Sequence, residues 1–121
     1  MAKYVDGFVL PIPKKSKAAY IKMAKLAGKV WLDHGALEYY ECIADDVKPG
    51  KWTSFPQSVK LKPTETVWFS WIIYKSRKHR DQVIKKVMND PRLQMDWKNM
   101  PFDGKRMIFG GFSPVVTLEK K

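Results

Sequence analysis

The sequence has a single cysteine and no long hydrophobic run. Cys42 alone excludes an intramolecular disulfide and a zinc site built from several cysteines. The longest apolar stretch, residues 67–74, is interrupted by Ser70 and is far shorter than the roughly 20 residues of a membrane-spanning helix. Asp6 and Gly7 interrupt any apolar core of a secretory signal near the start. We therefore expect a cytoplasmic protein with no membrane partner.

Acidic residues and arginines are also scarce. The chain has 12 acidic and 23 basic residues, a formal net charge of +11, and only four of the basic residues are arginines. Such an excess raises nucleic acid as a partner, but arginine is the better residue for phosphate and guanine contacts. The lysines of residues 14–29, where no acid occurs, are most simply a solvated helix face. Weak RNA binding by this face remains an alternative.

The pattern of apolar and polar residues predicts one α+β domain over residues 1–121. Strands are expected at residues 4–12, 37–44, 66–74 and 106–118, and helices at residues 15–34 and 77–89. Between the second and third strands, the sequence of residues 45–62 predicts a long loop that contains one helical turn. Asp90-Pro91 either ends the second helix or begins a short one reaching residue 97. The order β-α-β-β-α-β is that of the ferredoxin-like fold, with a four-stranded antiparallel sheet.

Finer signals concern helix ends and helix faces. Ser76 is a plausible N-cap of the second helix, and Gly35 suits a left-handed position after the first. Apolar spacing predicts which side chains face the core. These are Ala19, Met23, Leu26, Ala27 and Val30 in the first helix, and Val83, Ile84, Val87 and Met88 in the second.

The predicted strands are apolar on both faces. Val67, Phe69, Trp71 and Ile73 alternate with Trp68, Ile72 and Tyr74 along the third strand. Two helices cover only one face of a four-stranded sheet, so the other face needs an apolar cover. Most soluble oligomers are symmetric homodimers. We therefore predict a homodimer that packs through the open sheet face.

Several motifs resemble the YbaA-like family of small bacterial proteins of unknown function. They are YVDGF at residues 4–8, ECxADDV at 41–47, FSWI at 69–72, MxDPR at 88–92 and MPFDGKRMIxGGF at 100–112. The resemblance runs over residues 3–112. It implies the dimeric α/β-barrel superfamily, in which ferredoxin-like subunits pack sheet to sheet and each holds a pocket between sheet and helices. Its better-known relatives include cofactor-free monooxygenases, haem-handling proteins and stress-response proteins.

Three residues are candidates for chemistry in such a pocket. Glu41, on a largely apolar strand, is a candidate proton acceptor, because burial would raise its pKa. His34 is the candidate second acid–base group, and Arg106 could hold an anion. The alternatives are a buried pair of Glu41 with a basic or tyrosine side chain, and a helix C-terminal role for His34. Asp6 is expected in a similar buried pair.

Further ligand-binding candidates lie in the last turn and on the third strand. They are Trp71, Met100, Phe102, Asp103, Lys105 and Arg106. An ion-pair network that fixes the turn, and a core or dimer-interface role for Trp71, are the alternatives. Two histidines without compact spacing predict no metal site, and no cofactor is expected. Cys42 is interpreted as a small buried hydrophobe.

Together these observations predict a homodimer that binds a small molecule, with a cofactor-free oxidoreductase as one form of that function. A weak RNA-binding dimer and a purely structural or interaction dimer remain alternatives.

Overall fold

The computed structural model describes residues 3–93 and 100–120. The regular elements are, in chain order, β1 (Tyr4–Pro13), α1 (Lys17–Asp33), β2 (Glu38–Ile43), α2 (Phe55–Ser58), β3 (Glu65–Tyr74), α3 (Arg77–Met88) and β4 (Ile108–Phe112). Short 3-10 turns lie at Lys14–Ser16, before α1, and at Pro91–Leu93, after α3.

The four strands form one antiparallel sheet in the order β2-β3-β1-β4. Ser70 of β3 lies between Phe8 of β1 and Glu41 of β2. The helices α1 and α3 pack on the face that carries these three residues. The predicted ferredoxin-like α+β fold is therefore confirmed.

Both predicted helix signals are present. The Ser76 side chain accepts a hydrogen bond from the His79 backbone N–H over 3.0 Å, which satisfies one free donor of α3. Gly35 follows the C-cap residue of α1 with a φ of +114°, a conformation that favours glycine. These local contacts fix where α3 begins and where the chain leaves α1.

The predicted core stripe of α1 is correct in part: Val30 is buried, and Met23 and Ala27 are half-buried. It is wrong for Ala19 and Leu26, which are exposed, and it omits Tyr20, Ala24 and Gly28, which are buried. Gly28 lies so close to the sheet that a Cβ there would come 2.8 Å from a ring carbon of Tyr39. Small residues therefore face the sheet where the backbone of α1 approaches it. A helix face predicted from large apolar side chains does not include them.

Two other predictions need correction. The last strand covers only Ile108–Phe112, since the following residues are exposed and do not pair with β1. In α3, Val83 and Val87 are buried as predicted, but Met88 is 55% exposed. Of the short helix expected to reach residue 97, the turn Pro91–Leu93 is present, and residues 94–99 lie outside the described residues.

The sheet has one covered face and one open face. On the covered face, Leu10, Ile12, Trp68, Ile72 and Tyr74 are buried under the helices. On the open face, α2 and its loop cover only one end, where Val59 packs on Val9 and Val67. Tyr40, Phe69, Ile108 and Phe112 of that face stay between 44% and 64% exposed. Both faces are thus apolar, as the strand pattern predicted.

No helix in the described part of the chain is long and apolar enough to cross a membrane.

Candidate functional site

A cavity of about 210 Å³ lies between the covered sheet face and the helices. Its walls are almost entirely apolar, and four methionines with several aromatic rings supply much of the surface. The lining includes Phe8, Met23, Ala27, Trp31, Met100 and Phe102. Methionine and aromatic side chains together make an adaptable, polarisable surface for an organic molecule.

Glu41 supplies the carboxylate of this cavity. It lies on β2 with its side chain on the covered face, where its Oε1 accepts a hydrogen bond from the Tyr20 hydroxyl over 2.8 Å. Its Oε2 accepts one from the Tyr39 hydroxyl over 2.9 Å. Ser70, its neighbour on β3, also donates to it. A strand, its neighbouring strand and α1 therefore converge on one carboxyl group.

Burial determines the protonation behaviour of this cluster. Desolvation raises the pKa of Glu41 above its usual range, and the hydrogen bonds from Tyr20, Tyr39 and Ser70 oppose that rise. Burial and the neighbouring carboxylate raise the pKa of both tyrosines far above the ordinary value. Both hydroxyls therefore stay protonated and act as donors.

The cluster can accept a hydrogen bond or a proton from a ligand. A carboxylate has about four acceptor positions, of which three are used by Tyr20, Tyr39 and Ser70. The raised pKa of Glu41 moves it toward the range suited to general acid–base chemistry. No basic side chain lines the cavity within the described residues.

Met100 and Phe102 are the predicted ligand-binding residues that the structure brings to Glu41. Both line the same cavity. The Phe102 ring lies edge-on to Tyr20 at a centroid distance of 5.7 Å, so it also packs against the donor of the carboxylate. Ligand binding by these two residues stays a prediction.

His34 lies in a different cluster. It is the C-cap residue of α1, and its Nε2 lies 2.8 Å from Oδ2 of the buried Asp90. Arg92 also donates to this carboxylate, over 2.7 Å, and its guanidinium keeps the pKa of Asp90 well below the usual range. The structure therefore does not bring His34 to Glu41, whose oxygens are hydrogen-bonded to tyrosines.

Arg106 and Asp103 form the ion-pair network that the sequence left as an alternative. Arg106 Nη1 donates to Oε1 of the buried Glu65 over 2.8 Å, and Nε donates to Asp103 Oδ2 over 2.9 Å. Nη1 also donates to the Lys60 carbonyl over 3.0 Å. Lys105 is exposed, and its backbone N–H donates to Asp103. These contacts hold the turn before β4 against the loop before β3.

Trp71 and Asp6 occupy other surroundings. Trp71 stacks on Tyr40 at 4.9 Å on the open sheet face, away from the cavity. Asp6 is buried and accepts a hydrogen bond from Arg80 Nη1 over 2.7 Å, the type of pair expected from the sequence. Burial nevertheless raises the pKa of Asp6, with Arg80 opposing.

A tyrosine hydroxyl was one of the partners that the sequence allowed for a buried Glu41, but the sequence did not identify Tyr20 and Tyr39. Tyr39 and Glu41 are two residues apart on a strand, so they share a face, and this spacing was a usable signal. Tyr20 had no such signal, because its approach depends on the rotation of α1. Within the described residues, no group of three His, Cys, Asp or Glu side chains could hold a metal ion.

Two solved structures share this fold. One is a protein from Nitrosomonas europaea provisionally described as an antibiotic biosynthesis monooxygenase, with a TM-score of 0.59 at 10% identity. The match covers 93% of this chain and 90% of that one. The other is a dimeric ferredoxin-like protein from an uncultured marine organism, with a TM-score of 0.56 at 13% identity, covering 99% and 100% of the two chains. At these identities they support the fold alone.

Sequence relatives are much closer. The uncharacterized protein YbaA of Escherichia coli K12 is 48% identical over 114 residues, which cover 94% of this chain and 97% of that protein. A YbaA protein of Shigella flexneri matches to the same extent. Residues 3–104 match the family described as "Protein of unknown function (DUF1428)". The resemblance inferred from the motifs is thereby confirmed, and the chain belongs to this family.

Proposed function

We propose that this protein is a homodimer that binds a small, uncharged aromatic molecule carrying a hydroxyl group. The observation that carries the proposal is a single carboxylate, Glu41, held by Tyr20 and Tyr39 in an otherwise apolar cavity. A volume of about 210 Å³ suits roughly one ring with small substituents, because engineered cavities of about 150 Å³ admit benzene.

The charge of the cavity argues against an anionic ligand. Glu41 is the charged group that lines it among the described residues, and no Lys or Arg there could neutralise a ligand carboxylate. Arg106, the candidate from the sequence, is held by Glu65 and Asp103 instead. A ligand hydroxyl can donate to Glu41, whereas a ligand carboxylate would be repelled by it.

Binding can be tested by calorimetric titration with phenol, toluene and benzoate. We expect phenol to bind about tenfold more tightly than toluene, since a hydrogen bond to a charged group contributes about 1.5 kcal/mol. Benzoate should bind least. Glu41→Gln should reduce the difference between phenol and toluene. Tighter binding of benzoate than of phenol would contradict the proposed ligand class.

A matched pair of variants tests the location. Ala27 lines the cavity, so Ala27→Phe should fill it and abolish phenol binding. Ala18 is exposed on the same helix, so Ala18→Phe should leave binding unchanged. If both variants bind phenol as the unmodified protein does, the ligand does not occupy this cavity.

The homodimer half of the proposal rests on the open sheet face. Tyr40, Phe69, Trp71 and Phe112 form a continuous apolar surface there, which water would contact in an isolated chain. A second copy offers the same surface in a symmetric arrangement. The marine ferredoxin-like protein of the same fold is described as dimeric, which supports this choice of partner.

An oxidoreductase form of the proposal would rest on Glu41 alone, because His34 is bound to Asp90. A dihydroxyarene would lose a proton to Glu41, and dioxygen would take the ring's electrons. The balanced reaction converts dihydroxyarene and O₂ to quinone and H₂O₂. An oxygen electrode should detect uptake above autoxidation that Glu41→Gln abolishes. Uptake equal to autoxidation would leave binding as the function.

A further inference from the structure

A second hollow lies on the other side of α1, between that helix and the edge strand β2. Its volume is about 520 Å³, within the roughly 300–1,000 Å³ typical of small-molecule sites. Ile21 and Leu32 of α1 and Ile43 of β2 form its apolar floor, together with the buried Trp68. Leu32 is 47% exposed and Ile43 39%, so an apolar surface remains uncovered here, away from the open sheet face. We call this hollow the lysine groove.

Three lysines line the lysine groove. Lys17, Lys25 and Lys29 all project from α1 and are exposed. None of the three forms a salt bridge with an acidic side chain among the described residues. α1 has no acidic residue before Asp33, which is paired with Arg92 at 2.8 Å. The three lysines therefore give the groove a local positive charge that no salt bridge among the described residues offsets.

One acidic group also reaches the lysine groove. Glu41 lines it as well as the cavity, and Tyr39 does the same. Its carboxylate oxygens are engaged by the Tyr20 and Tyr39 hydroxyls, and the lysines outnumber it three to one. The net charge at the groove is positive, whichever protonation state Glu41 adopts.

We propose that the lysine groove binds a single-chain amphiphilic carboxylate, a molecule of the fatty-acid class. The apolar floor would take the alkyl chain, and the ammonium groups of Lys25 and Lys29 would bind the carboxylate. Lysine stems can lie along an apolar chain while their charged ends meet the anion. This combination of apolar floor and unpaired cations complements an amphiphilic anion in both respects.

The same features disfavour two other anionic partners. Single-stranded RNA binding uses exposed aromatic rings for base stacking, but Trp68 in this groove is buried and Tyr39 is only partly exposed. A membrane surface is met by apolar side chains that project outward, whereas Ile21 and Ile43 line a concave surface. An isolated amphiphile fits a groove of this size.

Calorimetric titration with octanoate, decanoate and laurate, all below micelle formation, tests the proposal. Affinity should rise with chain length, by up to about fourfold per methylene, since burying a methylene contributes about 0.8 kcal/mol. Decanoate should bind at least tenfold more tightly than decyltrimethylammonium, and added salt should weaken it. Equal affinity for the cation, or no dependence on chain length, would overturn the proposal.

Paired variants locate the site. The double variant Lys25→Gln/Lys29→Gln should weaken decanoate binding about tenfold or more. The control Lys15→Gln/Lys22→Gln removes the same charge from lysines that do not line the groove and should change affinity less than twofold. Equal loss in both pairs would show a general effect of net charge and contradict the site. Leu32→Ser should reduce the gain per methylene without removing the preference for an anion.

Two further measurements separate the alternatives. Ala27→Phe fills the cavity but not the groove, so decanoate binding should survive it; loss would place the amphiphile in the cavity instead. Co-sedimentation with phosphatidylglycerol vesicles, combined with no binding of monomeric decanoate, would assign the lysines to a membrane surface and overturn the proposal. A failure of phenol to bind leaves this test unaffected, because the groove is argued independently of the cavity.

Discussion

The Tyr20 hydroxyl of α1 donates a 2.8 Å hydrogen bond to Oε1 of Glu41 on β2. The contact joins helix to sheet at a carboxylate that is largely removed from water. Tyr39 occupies the other oxygen, so the carboxyl group is fixed in orientation before any ligand arrives. A preorganised acceptor in an apolar site is the arrangement that gives binding sites their orientation specificity.

Replacing Glu41 should change how stability depends on pH. Burial raises the pKa of Glu41 in the folded chain above 4.5, so the folded state holds this proton more tightly than the unfolded state. Its contribution is therefore fully present below about pH 4.5 and is lost as pH rises through the folded pKa. In the unmodified protein this loss lowers the free energy of unfolding as pH rises. The free energy of unfolding of Glu41→Gln should not show this decline.

Urea unfolding at several pH values between 4 and 8 measures the difference between the two proteins. Asp6 also has a raised pKa, so only the difference between variant and unmodified protein is informative. Glu38→Gln, at an exposed position of the same strand, serves as the control and should keep the decline. A constant difference between Glu41→Gln and the unmodified protein across this range would contradict the buried, raised-pKa description.

Gly28→Ala should destabilise the protein although alanine is the better helix former. The new Cβ would meet the Tyr39 ring at 2.8 Å, and overpacking typically costs about 1–3 kcal/mol. The higher helix propensity of alanine offsets up to about 1 kcal/mol of this cost. We expect a net loss of about 1 kcal/mol in thermal or urea unfolding, together with weaker phenol binding, because Tyr39 orients Glu41.

A second substitution distinguishes the clash from a backbone effect. Tyr39→Leu removes ring atoms that meet Gly28, so adding Gly28→Ala to Tyr39→Leu should cost less than adding it to the unmodified chain. Equal costs in both backgrounds would show that the contact with Tyr39 is not what limits this position.

The order of strands and helices along the chain and the two apolar sheet faces could be predicted, because both follow from short-range periodicity, such as the alternation in β1 and β3. The face of α1 could be predicted only in part: Val30 is buried and Met23 and Ala27 line the cavity, but the centre of the buried face was missed. It is set by Ala24 and Gly28, which carry little apolar surface themselves and are buried because the backbone comes close to Tyr39. A pattern read from side-chain hydrophobicity selects Leu26 instead, which is exposed.

The candidate site was also predicted only in part. Glu41 stands out as a charge on an apolar strand, and Met100 and Phe102 lie with it at the cavity. Arg106 pairs with Glu65, which lies 41 residues away in the sequence, so this pair depends on the tertiary fold. Opposite charges in a linear sequence do not specify such pairs, and His34 and Asp90, 56 residues apart, illustrate the same limit.

Removing Arg106 should be costly because Glu65 is buried beside it. Arg106→Gln leaves a buried carboxylate without its cation, and breaking such a pair typically costs about 3 kcal/mol. Lys105→Gln, at the adjacent exposed position, should change stability by no more than about 0.5 kcal/mol. Replacing both partners, as Arg106→Met/Glu65→Met, should cost less than Arg106→Gln alone.

The same pair predicts part of the acid sensitivity. The Arg106 guanidinium lowers the pKa of Glu65 below 4.5, so this contribution is present above that pH and is lost as pH falls through the folded pKa. Urea unfolding at pH 3 and pH 6 should therefore show a smaller penalty for Arg106→Gln at pH 3. An equal penalty at both values would mean that the ionised pair does not account for the loss.

Replacing Trp71 should separate the two subunits. Trp71 stacks on Tyr40 on the open sheet face, so Trp71→Glu would place a charge within the proposed interface, where an unpaired buried charge costs several kcal/mol. Light scattering at micromolar concentration should then detect a monomer, whereas the unmodified protein should be a dimer. Leu26→Glu, at an exposed position on α1, should leave the dimer intact. A dimer that persists in Trp71→Glu would move the interface to another surface, and a monomeric unmodified protein would exclude the sheet-to-sheet assembly itself.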